Sequence, residues 1–178
     1  MNDGIEKAII EFANGGREPL IRLILVVALI SGLIGCAAFL IRATKTARHS
    51  TAGAGMGRIA AGFLFCLFLI CLKQMMNAGA HSIGLGDVSF DGVNYASTGT
   101  FGLGAQVVNA IMSILRIVGA YLFYKGVKNL KNSQLEGNTE LSASGAIGKG
   151  IVQCICGLIF LFNPEILDRF QASINIHW

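Results

Sequence analysis

The sequence predicts an all-α membrane protein: about four hydrophobic helices arranged as two hairpins with basic cytoplasmic bends, flanked by short amphipathic helices at the termini. Three observations predict it. Leu23 to Ile41, LILVVALISGLIGCAAFLI, runs for nineteen residues without a charge, and at about 1.5 Å per residue such a helix nearly crosses a hydrocarbon core of about 30 Å. The chain of 178 residues is 53% hydrophobic and 13% charged, with a mean hydropathy of +0.63, whereas soluble domains carry about 25% charged residues. The cations are also gathered rather than spread. Arg42, Lys45, Arg48 and Arg58 surround one bend, and Lys125, Lys128, Lys131 and Lys149 surround another.

Taken in order, the chain reads as one membrane domain over residues 1–178. Residues 1–18 form an amphipathic helix: Asp3 caps it, Glu6 three residues on completes an approximate capping box, and Ile5, Ile9 and Phe12 make one apolar stripe. Gly15-Gly16 is expected to end it. These residues carry Asp3, Glu6, Glu11 and Glu18 against Lys7 and Arg17, unlike the basic start of a signal peptide, so Leu23–Ile41 is expected to serve as the internal targeting signal.

Residues 19–80 form the first hairpin. Its first span runs from Pro19 to Ile41, with Ser31, Gly32 and Gly35 permitting close helix contact in lipid. Its second opens at Arg58; Ile59–Leu72 is too short to cross a bilayer, so the helix is expected to continue past Lys73 to about Ala80. Residues 81–105 are dense in glycine and hold two acids and no Lys or Arg. Such a stretch opposes a regular helix and reads as an irregular loop, packed through Phe90, Tyr95 and Phe101.

Residues 106–163 form the second hairpin. One span covers Gln106–Tyr124 and leaves through Lys125, Lys128 and Lys131; after a polar linker the other covers Gly150–Phe162. Residues 164–178 form an amphipathic tail with Ile166, Leu167, Phe170 and Ile174 on one face and a terminal Trp suited to an interface.

Charge sets the expected orientation. The segment from Arg42 to Arg58 has four Lys/Arg and no acid, Lys125 to Lys149 has four Lys and two acids, and 81–105 has no cation. The positive-inside rule therefore puts both bends in the cytoplasm and the middle loop with both termini on the other side. Arg42, Lys45 and Arg48 repeat as Lys125, Lys128 and Lys131 at an offset of 83 residues. An internal repeat and the common look of basic hairpins both account for this.

Catalytic and metal chemistry find little support. The five cysteines, Cys36, Cys66, Cys71, Cys154 and Cys156, lie in apolar runs with no CxxC spacing and read as small packing residues. His49, His81 and His177 are scattered. The glycine-rich loop contains neither GxxxxGK[ST] nor GxGxxG after a strand. Two charges, Lys73 and Arg116, fall within the expected spans, where a cation costs at least about 2.5 kcal/mol. No acid lies in a span to pair with them, so they are expected to snorkel or to meet lipid phosphates or helix ends. No catalytic residue, no metal and no cofactor are expected.

The stretches GAYLFYKGVKNLKN at 119–132 and SGAIGKGIVQCICGLIFLFNPEIL at 144–167 carry a resemblance. A hairpin with a basic bend resembles the conjugative pilins of type IV secretion systems, the VirB2-like subunits. The longer four-span form resembles small membrane proteins of the type IVB branch, the TraQ proteins of I-type conjugative plasmids and the IcmC/DotE proteins of Dot/Icm systems. The chain is expected to depart from the simple pilins in having two hairpins and no cleaved leader. The resemblance implies a structural subunit of a conjugative pilus drawn from the bacterial inner membrane and used in DNA transfer, found as an extracellular pilus, or a non-polymerising inner-membrane component of the same machine. It implies a helical homo-oligomer, bound phospholipid, other secretion components as partners and transient single-stranded DNA. It also assigns Arg42, Lys45, Arg48, Arg58, Lys125, Lys128, Lys131 and Lys149 to a lumen or head-group role.

Overall fold

The computed structural model describes residues 3–48, 54–91, 93, 95–96, 104–134 and 140–174. Every element among them is helical: α1 (Asp3–Arg48), α2 (Ala54–Ile70), α3 (Leu72–Ser82), α4 (Gly104–Ser133), α5 (Glu140–Leu161) and α6 (Asn163–Ile174). Three described helices are long and apolar enough to cross a membrane, within α1, α4 and α5, and a fourth if the bent α2–α3 pair counts as one span.

α1 is a single helix of 46 residues, about 70 Å long at 1.5 Å per residue. It does not end at Gly15-Gly16, and Pro19 lies inside it. Glycine permits a helix end without compelling one, at a cost of about 1 kcal/mol each. Pro19 lacks the N–H and adds about 3 kcal/mol in a helix interior, yet the helix runs through both breakers, with Ala13 and Ile21 on either side of them buried. The side chains of Asp3, Ile5 and Glu6, and with them the expected capping box, lie outside the described residues.

The second span is not straight. α2 stops at Ile70, Cys71 takes φ −97° and ψ 36°, and α3 leaves at 93°. Backbone hydrogen bonds still cross the corner, from Cys71 N–H to the Leu67 carbonyl (2.9 Å) and from Met75 N–H to the Cys71 carbonyl (3.0 Å). No Pro or Gly occupies the corner. Instead, Leu72, Met76 and Ala80 recur every fourth residue and are buried, so α3 lies where that stripe meets the core.

α3 then ends in a Schellman motif. Gly84 takes φ +73°, Leu85 N–H reaches the Ala80 carbonyl (2.9 Å) and Gly84 N–H reaches the His81 carbonyl (3.0 Å). The αL conformation at the residue past the cap favours glycine, and Leu85 is buried just beyond it. The expected irregular loop holds for residues 85–91; Phe101 lies outside the described residues.

α4 and α5 pack antiparallel on glycine. Gly119 faces Gly157 and Gly126 faces Gly150. A Cβ on Gly119 would lie 2.8 Å from the Gly157 carbonyl oxygen, and one on Gly126 would lie 2.7 Å from that of Gly150. Both pairs are seven residues apart along each helix, close to two turns, so one face carries the whole contact. Asn129 adds a 2.6 Å bond to Gln153 across the same seam. Gly32 and Gly35 of α1 likewise lie against Ile70 and Cys66 of α2. α5 begins at Glu140, inside the stretch expected to be a polar linker.

The core gathers where all layers meet: Ala28 of α1, Leu69 of α2, Leu72 and Met76 of α3, Phe123 and Tyr124 of α4, and Leu161 with Phe162 at the α5–α6 corner. Outside it, Val26, Ile30, Leu33 and Ile34 of α1 and Ile151, Val152, Ile155 and Ile159 of α5 are exposed. Cys71 is exposed at the corner, which corrects the expectation that every cysteine is buried in packing.

Candidate functional site: the basic helix ends and the buried arginine

The eight cations expected at two bends sit on helices. α1 continues through Arg42 and Lys45 to Arg48, and α4 through Lys125, Lys128 and Lys131. Arg42 is half-buried with its guanidinium 5.8 Å from the Phe39 ring centre, and its Nη1 is buried with no hydrogen-bond partner. Lys45, Arg58, Lys125, Lys128 and Lys149 are exposed; the Arg48 side chain lies outside the described residues. Lys125 sits 5.8 Å from the Tyr121 ring centre and Lys128 5.9 Å from that of Tyr124. Each lysine thus folds back over an aromatic one turn earlier, a spacing that brings side chains together on a helix.

Lys131 is half-buried, and its Cδ lies 3.4 Å from where a Cβ on Gly35 would be. The basic end of α4 is therefore level with Gly35, six residues or about 9 Å short of the end of the first apolar run. Arg42 lies seven residues, about 10 Å, farther along α1. The two basic rows do not form one ring within the chain.

The two charges expected inside spans have separate fates. Lys73 is exposed in the first turn of α3, its ammonium 6.0 Å from the Phe90 ring centre. Arg116 is 6% exposed, enclosed by protein rather than by lipid. Its Nη2 donates to Glu165 Oε1 of α6 at 2.9 Å, and its Nη1 donates to the carbonyls of Ser89 (3.3 Å) and Asp91 (3.4 Å). The expectation that it lacks an acid partner is corrected: the chain turns at Phe162, and α6 brings Glu165 back to α4.

Arg116 belongs to a polar stripe that sequence reading missed. Asn109, Ser113 and Arg116 are spaced by four and three residues, so they share one face of α4. Asn109 clamps the loop, accepting from Ala96 N–H (2.8 Å) and donating to the Ala96 carbonyl (3.0 Å). Ser113 donates to the Asn109 carbonyl (2.9 Å). From α6, Asn163 donates to the Met112 carbonyl (3.0 Å). Arg169 bonds the Gly84 carbonyl and Gln171 the Tyr95 hydroxyl. The signal was present in the i, i+4, i+7 spacing of polar residues within an apolar helix.

Of the expected tail stripe, Ile166 packs on the core, Leu167 is half-buried, and Phe170 and Ile174 are exposed. His81 pairs with Asp87 (2.9 Å). Among the described residues no group of three or more His, Cys, Asp or Glu could hold a metal ion. No family model, curated protein or solved structure matches the chain.

Proposed function

We propose that the chain is a structural subunit of a conjugative type IV secretion pilus, drawn from the bacterial inner membrane and used in DNA transfer. The observation that carries the reading is the apolar outer surface of α1 and α5, where Ile30, Leu33, Ile34, Val152 and Ile155 stand exposed. Apolar residues exposed in such number along a helix require lipid or other copies of the chain to cover them.

In this reading α1–α2 and α4–α5 are two hairpins whose basic ends face the cytoplasm before assembly and the lumen of a helical filament after it. Arg42, Lys45, Arg48, Arg58, Lys125, Lys128, Lys131 and Lys149 meet phospholipid head groups there, at about 1 kcal/mol per cation near the surface. The same cations attract the backbone of transported single-stranded DNA. The chain has no catalytic task; its partners are its own copies, phospholipid and the rest of the secretion machine.

The test is to shear filaments from donor cells and identify their subunit and lipid by mass spectrometry. Filaments of this chain carrying phospholipid support the reading; filaments without it sink it. A second reading, a non-polymerising inner-membrane component or channel-like accessory of a type IVB machine, draws on the polar ties of α6 and the middle loop to α4, which close the unit on itself. Protein confined to the inner membrane, with transfer lost on its deletion, supports that one.

A further inference from the structure

A second charged zone lies away from the basic helix ends, where the first apolar run begins. Arg17, Glu18, Ile21 and Arg22 of α1, with Phe90 and Asp91 of the loop, line a cleft of ≈ 270 Å³. Leu25 lines both this cleft and an adjoining apolar groove, which it shares with Val26, Leu29, Ile70, Leu72 and Lys73. The Lys73 ammonium stands 6.0 Å from the ring centre of Phe90, at the junction of the two.

The cleft mixes signs. Arg17 has its Nε buried with no hydrogen-bond partner. Arg22 is paired with Glu18. The Asp91 side chain is exposed and its Oδ2 accepts the Ser89 hydroxyl at 2.8 Å. A simple anion would be opposed by Glu18 and Asp91, and a simple cation by Arg17 and Lys73. A zwitterion that carries a phosphate and a primary ammonium two carbons apart fits both, with an acyl chain for the groove. Arg22 is the last charge before the apolar run, so the cleft stands at head-group depth if that run lies in the bilayer.

We propose that this cleft and groove bind one phospholipid with a primary-amine head group. The acyl chain lies along Leu25, Leu29 and Ile70, the phosphate meets Lys73 and Arg17, and the ammonium meets Asp91. Charge-assisted hydrogen bonds at both ends of the head group give the selectivity. The site rests on the membrane placement of α1 and not on filament formation.

The full-length protein with Lys125, Lys128 and Lys131 changed to Gln, so that the basic end of α4 adds no anionic lipid, is purified in detergent and titrated separately with dioleoyl phosphatidylethanolamine, phosphatidylglycerol and phosphatidylcholine, and retained lipid is counted by native mass spectrometry. Phosphatidylethanolamine should be retained at about tenfold lower concentration than the other two, one charge-assisted bond's worth of discrimination. Asp91→Asn should erase its advantage over phosphatidylcholine, and Lys73→Gln should weaken retention of all three. Leu25→Trp, which fills the groove, should abolish retention while helical circular dichroism is kept. In that background, equal retention of the three lipids, preference for phosphatidylglycerol, or unchanged retention when Lys73→Gln is added overturns the proposal. Because the readout uses solubilised subunits, selective retention without any pilus would leave this site standing and sink only the filament.

Discussion

The Arg116 guanidinium and the Glu165 carboxylate meet at 2.9 Å across 49 residues of sequence. They are unequally enclosed: the Arg116 side chain is 7% exposed and that of Glu165 43%. Taking a cation out of water costs several kcal/mol unless its partner and hydrogen bonds compensate. The pair therefore does more to decide where α6 and the loop must lie than to add net stability.

The inequality makes a directional prediction. Glu165→Gln leaves a cation whose side chain is 7% exposed without its counter-charge and should cost about 3 kcal/mol, whereas Arg116→Met leaves a carboxylate on a side chain that is 43% exposed, though its Oε2 is enclosed, and should cost about 1–2 kcal/mol. Thermal unfolding in detergent, followed by circular dichroism, checks the order. Arg116→Met proving the more harmful would show that the arginine's bonds to the Ser89 and Asp91 carbonyls outweigh the ion pair.

Glycine packing gives a contrast within one helix. Gly157→Leu drives a side chain into the Phe123 backbone, whose N lies 2.7 Å from where a Cβ would be, and should cost more than about 3 kcal/mol by overpacking. Gly148→Ala meets nothing within 4 Å and should be neutral or stabilising by up to about 1 kcal/mol through helix propensity. Protease resistance of the two purified variants separates them. Equal resistance would mean that α4 and α5 do not touch along this seam.

Orientation is open to chemical labelling. In a background without native cysteines, Gly86→Cys should react with a membrane-impermeant maleimide in intact spheroplasts, while Lys45→Cys should react only after the inner membrane is permeabilised. The asymmetry of Lys and Arg between the basic segments and the middle loop is the reason. The reverse pattern would invert the proposed topology.

On the proposed pilus reading, changing Lys125, Lys128 and Lys131 together to Gln should lower copurifying anionic phospholipid severalfold and reduce DNA transfer. The chain should not invert, because the Arg42–Arg58 segment still holds its four cations. Lipid extraction with mass spectrometry, and the same labelling in the variant, give the two readouts. Lipid content unchanged by the triple substitution would confine these lysines to setting topology.

What the sequence determined alone was helix and where the chain is apolar. Residues 23–41 lack any charge, and Lys125, Lys128 and Lys131 recur every three residues; both are properties of neighbours along the chain, which local rules read directly. The tertiary structure decided the rest. The 93° corner at Cys71 carries no Pro or Gly to announce it and exists because Leu72, Met76 and Ala80 are drawn into a core built largely by other helices. α1 passes through Gly15-Gly16 and Pro19 against a local cost of about 3 kcal/mol for the proline alone, with Ala13 and Ile21 on either side buried in the folded chain. The partner of Arg116 stayed hidden for the same reason. A buried charge takes whichever acid the folded chain brings within 3 Å, and the turn at Phe162 brings Glu165, which in sequence is only one acid of an amphipathic tail.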